Sequence, residues 1–181
     1  MQEAFGVSPT PFPIRIILEP ETIMFIPSRW LLLATSLISF ALVGFAVYLQ
    51  QTQGMLPCPW CVIIRYAFCA LGLFALVGAI GSAFKPAAAL GLLAALGGTG
   101  ASGWLMYHQA HPSISCGLDP VETMLNKIFT AEWFPTLFMA NGECTTLYPP
   151  VFGLSVPQGA LVWMIVFDLL FLIILLRRRH N

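Results

Sequence analysis

Charged residues are scarce in this chain. Asp, Glu, Lys and Arg make up 9 % of its 181 residues, against about 25 % in an ordinary soluble domain. Eight cations balance eight anions, so a formal net charge of zero offers no footprint for nucleic acid. A basic segment leading straight into an apolar core is also missing at the N-terminus. The first long apolar run starts only at Trp30, so no signal peptide is expected. Residues 1–29 are Pro-rich and mixed, and read as a tail, of which 12–26 can touch a membrane surface. Short alternating segments are lacking too, which excludes a membrane barrel and leaves helices as the spanning structure.

Hydrophobic residues, by contrast, make up 58 % of the chain. Four runs are long and apolar enough to cross about 30 Å of hydrocarbon, which takes about 20 residues. They are Trp30–Leu49, Val62–Phe84, Ala87–Tyr107 and Gly159–Leu176. The expected fold is an all-α membrane protein, a four-transmembrane-helix bundle in one domain (30–176), with hydrophilic loops at 50–61 and 108–158 and a basic tail at 177–181. Arg15, Arg29, Lys85, Arg177, Arg178 and Arg179 fall on the side of the termini, and only Arg65 and Lys127 on the other. That asymmetry predicts both termini inside the cell and both loops outside, by the positive-inside rule. In a bacterium the loops then lie in the periplasm, where disulfides form and persist.

The chemistry sits in those loops. Cys58-Pro59-Trp60-Cys61 stands where a polar turn meets the second apolar run, and Cys116 and Cys144 both lie in the long loop. Two thiols at Cys-x-x-Cys spacing close a reducible disulfide or bind metal. At a helix N-terminus the macrodipole favours a thiolate, the reactive form. Arg65 is four residues beyond Cys61, on the same helical face one turn deeper. An Arg there needs a partner, which a Cys61 thiolate or a polar head group supplies; a snorkelling Arg meeting lipid phosphate is the alternative. The combination points to electron transfer between thiols and a membrane-borne acceptor. Two inert structural disulfides, or a four-thiolate zinc site, are the competing readings. The long separation of the second pair and the oxidising compartment disfavour zinc.

Within the long loop, Val121, Met124, Leu125, Ile128 and Phe129 recur at helical spacing, with Glu122, Thr123, Asn126 and Lys127 opposite. This predicts a short amphipathic helix in the interface plane, N-capped by Asp119, with Pro120 first and Glu122 at the capping-box position. Elsewhere, Cys69 reads as a small buried hydrophobe. Asp168 stands near the middle of the fourth run, where an acid costs about 2.5–3.5 kcal/mol. It is expected to bond Ser36, Ser39 or Thr99, with a proton-relay role as the sharper alternative. Ala94, Gly98 and Ser102 form a small-residue row for close helix packing. His108 and His111 read as interfacial polar residues rather than metal ligands.

These motifs, in this order, resemble the disulfide bond formation protein B (DsbB) family. The matching stretches are Cys58-Pro59-Trp60-Cys61 with Arg65, Gln109-Ala110-His111-Pro112 before Cys116, Trp133-Phe134-Pro135 through Ala140-Asn141-Gly142-Glu143-Cys144, and Gly153-Leu154-Ser155-Val156-Pro157-Gln158. The likeness runs from about Trp30 to the end. The longer N-terminal tail, Ile64 at a position where an acid can occur, and the extra Cys69 depart from the pattern. The resemblance implies a bacterial inner-membrane enzyme that reoxidises a periplasmic DsbA-like thiol oxidoreductase and passes the electrons to ubiquinone or menaquinone. It implies that Cys116 forms the mixed disulfide with the partner, that Cys144 exchanges with Cys58, and that Cys61 as thiolate faces the quinone with Arg65. A vitamin K epoxide reductase-like enzyme would carry its loop pair before the Cys-x-x-Cys, the reverse of the order here. A non-enzymatic scaffold with structural disulfides leaves Arg65 without a purpose.

Overall fold

The computed structural model describes residues 28–81, 84–111, 118–144, 146, 148–151 and 153–176. The two tails and Cys116 lie outside them. Seven helices are present among the described residues: α1 (Ser28–Gln53), α2 (Pro59–Ile80), α3 (Phe84–Ala110), α4 (Leu118–Asn126), α5 (Phe129–Trp133), α6 (Pro135–Phe138) and α7 (Val156–Leu176). The only extended pairing among those residues is a bridge between Val151 and Leu154, around Gly153 at φ 81°.

α1, α2, α3 and α7 carry the four apolar runs, and each is long and apolar enough to span a membrane. Their outer faces expose Leu37, Leu73, Leu93 and Leu169. Helices apolar all round have no solvent-facing stripe, and hydrocarbon is the medium that satisfies them. The chain is a multi-pass membrane protein.

The bundle packs in sequence, α1 on α2, α2 on α3 and α3 on α7, while α1 and α7 share no extended interface. Small residues set the closest approaches. A Cβ on Gly98 would come within 2.5 Å of the Met164 side chain, and one on Gly91 within 2.6 Å of the Phe171 ring. Gly98, from the small-residue row, thus seats α7, and Phe167, Phe171 and Met164 fill the core. Ser39 Oγ donates to the Phe68 carbonyl at 2.6 Å, tying α1 to α2. Thr99 Oγ1 donates to Asp168 Oδ2 at 2.7 Å, tying α3 to α7. Of the three partners expected for Asp168, Thr99 is the one that α7 meets, because Ser36 and Ser39 sit on α1.

The amphipathic segment differs from its expected form. α4 already begins at Leu118, so Asp119 lies inside the helix and is not its N-cap. The helix also stops at Asn126, and Ile128 takes extended dihedrals before α5 begins. Asn126 accounts for the break. Its side chain accepts from the Ala140 N–H at 2.9 Å and donates to the Ala140 carbonyl at 3.0 Å. Of the apolar face, Leu125 is buried, with Val62 and Ala140, while Met124, Ile128 and Phe129 point outward. Tyr66 of α2 stacks on Phe138 at 4.4 Å and its hydroxyl pairs with Thr130 Oγ1. These contacts hold α4–α6 at the end of the bundle where α2 begins.

Candidate functional site

The α1–α2 turn needs a sharp reversal ahead of an apolar helix. Gly54, at φ 64°, closes α1 in the left-handed conformation that glycine adopts without penalty. Proline is tolerated at the first position of a helix, and Pro59 opens α2 there. The helix therefore starts two residues before Cys61, and Cys58 is its N-cap. The Cys58 sulfur accepts the Cys61 N–H at 3.2 Å, as a serine or aspartate cap oxygen does. The two sulfurs of Cys-x-x-Cys are 2.7 Å apart.

Cys144 comes to the same place. It is 2 % exposed and its thiol hydrogen-bonds that of Cys58. Three of the four singled-out cysteines thus form one cluster. The hydrogen bonds to Cys144 and to Cys61, together with burial, push the Cys58 thiol far above the usual range, so it holds its proton.

Arg65 is buried, at 7 % exposure, one turn below Cys61. Its Nη1 donates to Gln50 Oε1 at 2.9 Å, to the Leu137 carbonyl at 3.0 Å and to the Thr136 carbonyl at 3.4 Å. The partners are therefore a side chain of α1 and the backbone of α6, and Cys58 and Cys61 lie within electrostatic reach. All three of these bonds use Nη1. A cavity of about 400 Å³ adjoins both residues. It lies between α1 and α7, lined by Leu42, Phe45 and Leu49 of the one and Ala160 and Trp163 of the other, together with Cys61 and Arg65. Size and apolar lining suit a small-molecule site.

The remaining candidates lie apart. Cys69 is half-buried and packs against the main core. His108, in the last turn of α3, is buried with its ring 4.9 Å from Trp104, while His111 is exposed and its Nδ1 meets the Tyr107 carbonyl at 3.0 Å.

A family profile described as Disulfide bond formation protein DsbB matches residues 28–174. The chain belongs to the DsbB family. Proteins named Disulfide bond formation protein B are similar to it over most of their length. That of Herminiimonas arsenicoxydans is 52 % identical over 147 residues, covering 80 % of this chain and 93 % of the relative. Those of Ralstonia nicotianae and Cupriavidus pinatubonensis are 41 % and 40 % identical over 155 residues, each covering 85 % of this chain and 98 % and 96 % of the relative. A DsbB-family chain with clustered thiols on four apolar helices is a disulfide-forming oxidoreductase of a membrane.

Gln50, Asn126, Gln109 and Tyr148 hold the site together; sequence reasoning placed Asn126 only on a polar helix face and Gln109 only in a matching stretch, and did not single out Gln50 or Tyr148. Gln50 had one readable signal, a polar residue closing an apolar run. The others bond to backbone atoms, which leave no mark in residue type.

Proposed function

We propose that this chain oxidises a DsbA-like soluble thiol oxidoreductase in the bacterial periplasm and delivers the electrons to a membrane quinone, ubiquinone or menaquinone. The thiol end of the bundle faces the periplasm and both termini face the cytoplasm of the inner membrane, a reading the Lys and Arg asymmetry supports. The observation that carries the proposal is the meeting of Cys58, Cys61 and Cys144 beside an apolar cavity bordered by Arg65.

Each residue then has a task. A thiolate of the partner attacks Cys116 of a Cys116–Cys144 disulfide and releases Cys144 as thiolate. Cys144 attacks Cys58 of the Cys58–Cys61 disulfide. One S–S bond forms, one breaks, and the electron pair leaves on Cys61. Arg65, which borders the cavity, stabilises that charge. The apolar walls exclude water and fit a hydrophobic ring and tail. A quinone held there supplies a two-electron, two-proton acceptor. The periplasm is kept oxidising by such a kinetic route to quinone rather than by a thiol buffer.

The test is quinone reduction by purified protein in detergent, with reduced DsbA as donor, for wild type and Cys61→Ser. Donor-dependent reduction that disappears in Cys61→Ser supports the reading. Wild type that reduces no quinone, with its cysteines oxidised and inert, overturns it.

A further inference from the structure

Two cysteines on separate loops exchange only as fast as their sulfurs meet. Cys144 is held at Cys58 by contacts on both sides of it. Before it, the N–H groups of Asn141 and Gly142 both donate to the Pro57 carbonyl, at 3.1 and 3.0 Å. After it, the Tyr148 hydroxyl accepts from the Leu56 N–H at 3.0 Å and donates to the Leu56 carbonyl at 3.4 Å. Leu56 and Pro57 immediately precede Cys58, so both contacts grip the turn that delivers it. Gly142 is pressed against this turn, and a Cβ on it would overlap the Leu56 carbonyl oxygen. Three more bonds anchor the arm from outside: Asn126 grips Ala140 in both directions, and Gln109 Nε2 donates to the Cys144 carbonyl at 3.3 Å.

We propose that residues 141–144 together with Tyr148 form a docking arm, in which Gly142 and Tyr148 are positioning residues that set the effective concentration of Cys144 at Cys58. The inference deepens the relay reading, on which it rests, by naming what governs the exchange between the two cysteine pairs. The exchange itself is balanced. The Cys144 thiolate attacks Cys58, a Cys58–Cys144 bond replaces the Cys58–Cys61 bond, and the electron pair passes to the Cys61 sulfur. Most of the arm's bonds run to backbone carbonyls and N–H groups. The side-chain identities that matter are therefore few: a residue without a Cβ at 142 and a hydroxyl at 148.

The experiment isolates that equilibrium. Full-length protein carrying Cys61→Ser, Cys69→Ser and Cys116→Ser keeps only Cys58 and Cys144. In detergent it is equilibrated against mixtures of reduced and oxidised glutathione, and the Cys58–Cys144 disulfide is read by alkylation. Tyr148→Phe keeps the ring and removes two hydrogen bonds, so the effective concentration of Cys144 should fall roughly five- to tenfold. Gly142→Ala should lower it by at least as much. In the companion protein with Cys69→Ser, Cys116→Ser and Cys144→Ser, the Cys58–Cys61 equilibrium should not move with Tyr148→Phe. An unchanged Cys58–Cys144 equilibrium in Tyr148→Phe overturns the proposal. So does an equal shift in both equilibria, because that marks a general structural role. If Gly142→Ala does not fold, Tyr148→Phe decides alone. Neither quinone nor DsbA enters the measurement, so its failure and a failure of quinone reduction are separate results.

Discussion

Arg65 and Asp168 are both ionisable residues on membrane-spanning helices, yet their surroundings differ in kind. Arg65 lies near the end of the bundle, where three oxygens from two other segments accept from one of its nitrogens, and the residue borders a cavity. Asp168 lies mid-helix with a single hydrogen bond from Thr99, and its Oδ1 is buried without a partner among the described residues. An ionisable residue inside a membrane is a functional candidate by default. Here the default separates into two cases. Many oxygens organised around one residue beside a cavity and a thiol cluster describe a site. One bond between neighbouring helices describes a tie.

The largest effect should come from removing Arg65. Arg65→Leu takes away the charge beside Cys61, a polar group at the cavity and the anchor of α6. The proposed quinone should then bind at least tenfold more weakly, on the scale of a lost charged hydrogen bond of about 1.5–3 kcal/mol. The measurement is the quinone KM under saturating reduced DsbA. An unchanged KM would remove Arg65 from the acceptor site and leave it a structural anchor.

Cys58 provides the next contrast, with its own partner Cys61. Its raised pKa favours the protonated thiol, so at pH 7–8 it holds less thiolate than an ordinary cysteine, and its alkylation should rise only at higher pH. The largest contributor is the hydrogen bond to Cys144. Cys144→Ser should therefore speed iodoacetamide labelling of reduced Cys58 at pH 8 by about tenfold, as loss of that bond releases more thiolate. Peptide mapping by mass spectrometry reads it. Equal rates in the two proteins would mean that burial and the hydrogen bond with Cys61 protect Cys58 without help from Cys144.

A smaller effect is expected one step back from the site. Gln50→Leu removes one of the three acceptors of Arg65 and leaves the two α6 carbonyls. The quinone KM should rise about three- to tenfold, with kcat largely kept, for the loss of one hydrogen bond to a charged group. Gln50→Glu restores an acceptor and should recover most of the loss. A fall in kcat at constant KM would place Gln50 in the electron path instead.

Much of this was legible before any coordinates. Four apolar runs of spanning length have only one way to satisfy their backbones in lipid, so the bundle follows from composition and length. The four-residue step from Cys61 to Arg65 put both on one face of α2, and the helix preserves that step. The loop was harder. Hydrophobic periodicity continues unbroken from Val121 to Phe129, but the helix does not, because Asn126 bonds the backbone of Ala140. A period reports which face is apolar and is blind to a side chain that recruits a distant carbonyl. The same blindness hid Tyr148, whose partners are the N–H and carbonyl of Leu56. Cys116, a residue the sequence singles out, lies outside the described residues.

The smallest effect should be at Asp168, and it tests the comparison most directly. If the residue is a tie, Asp168→Asn keeps an acceptor for Thr99 Oγ1 and removes only the option of charge. Interhelical hydrogen bonds in membranes are worth about 0.6 kcal/mol on average, up to about 1.7. Asp168→Asn should therefore keep turnover within about twofold and change stability in detergent by less than about 1 kcal/mol, while Asp168→Leu loses the bond and gains a better-solvated side chain. The two contributions oppose each other, so even the leucine variant should stay close to wild type. A tenfold loss of turnover in Asp168→Asn, with thermal unfolding unchanged, would make the carboxyl a proton carrier for the acceptor. The distinction between site and tie would then fail, because a single hydrogen bond mid-membrane would have proved sufficient for a functional acid.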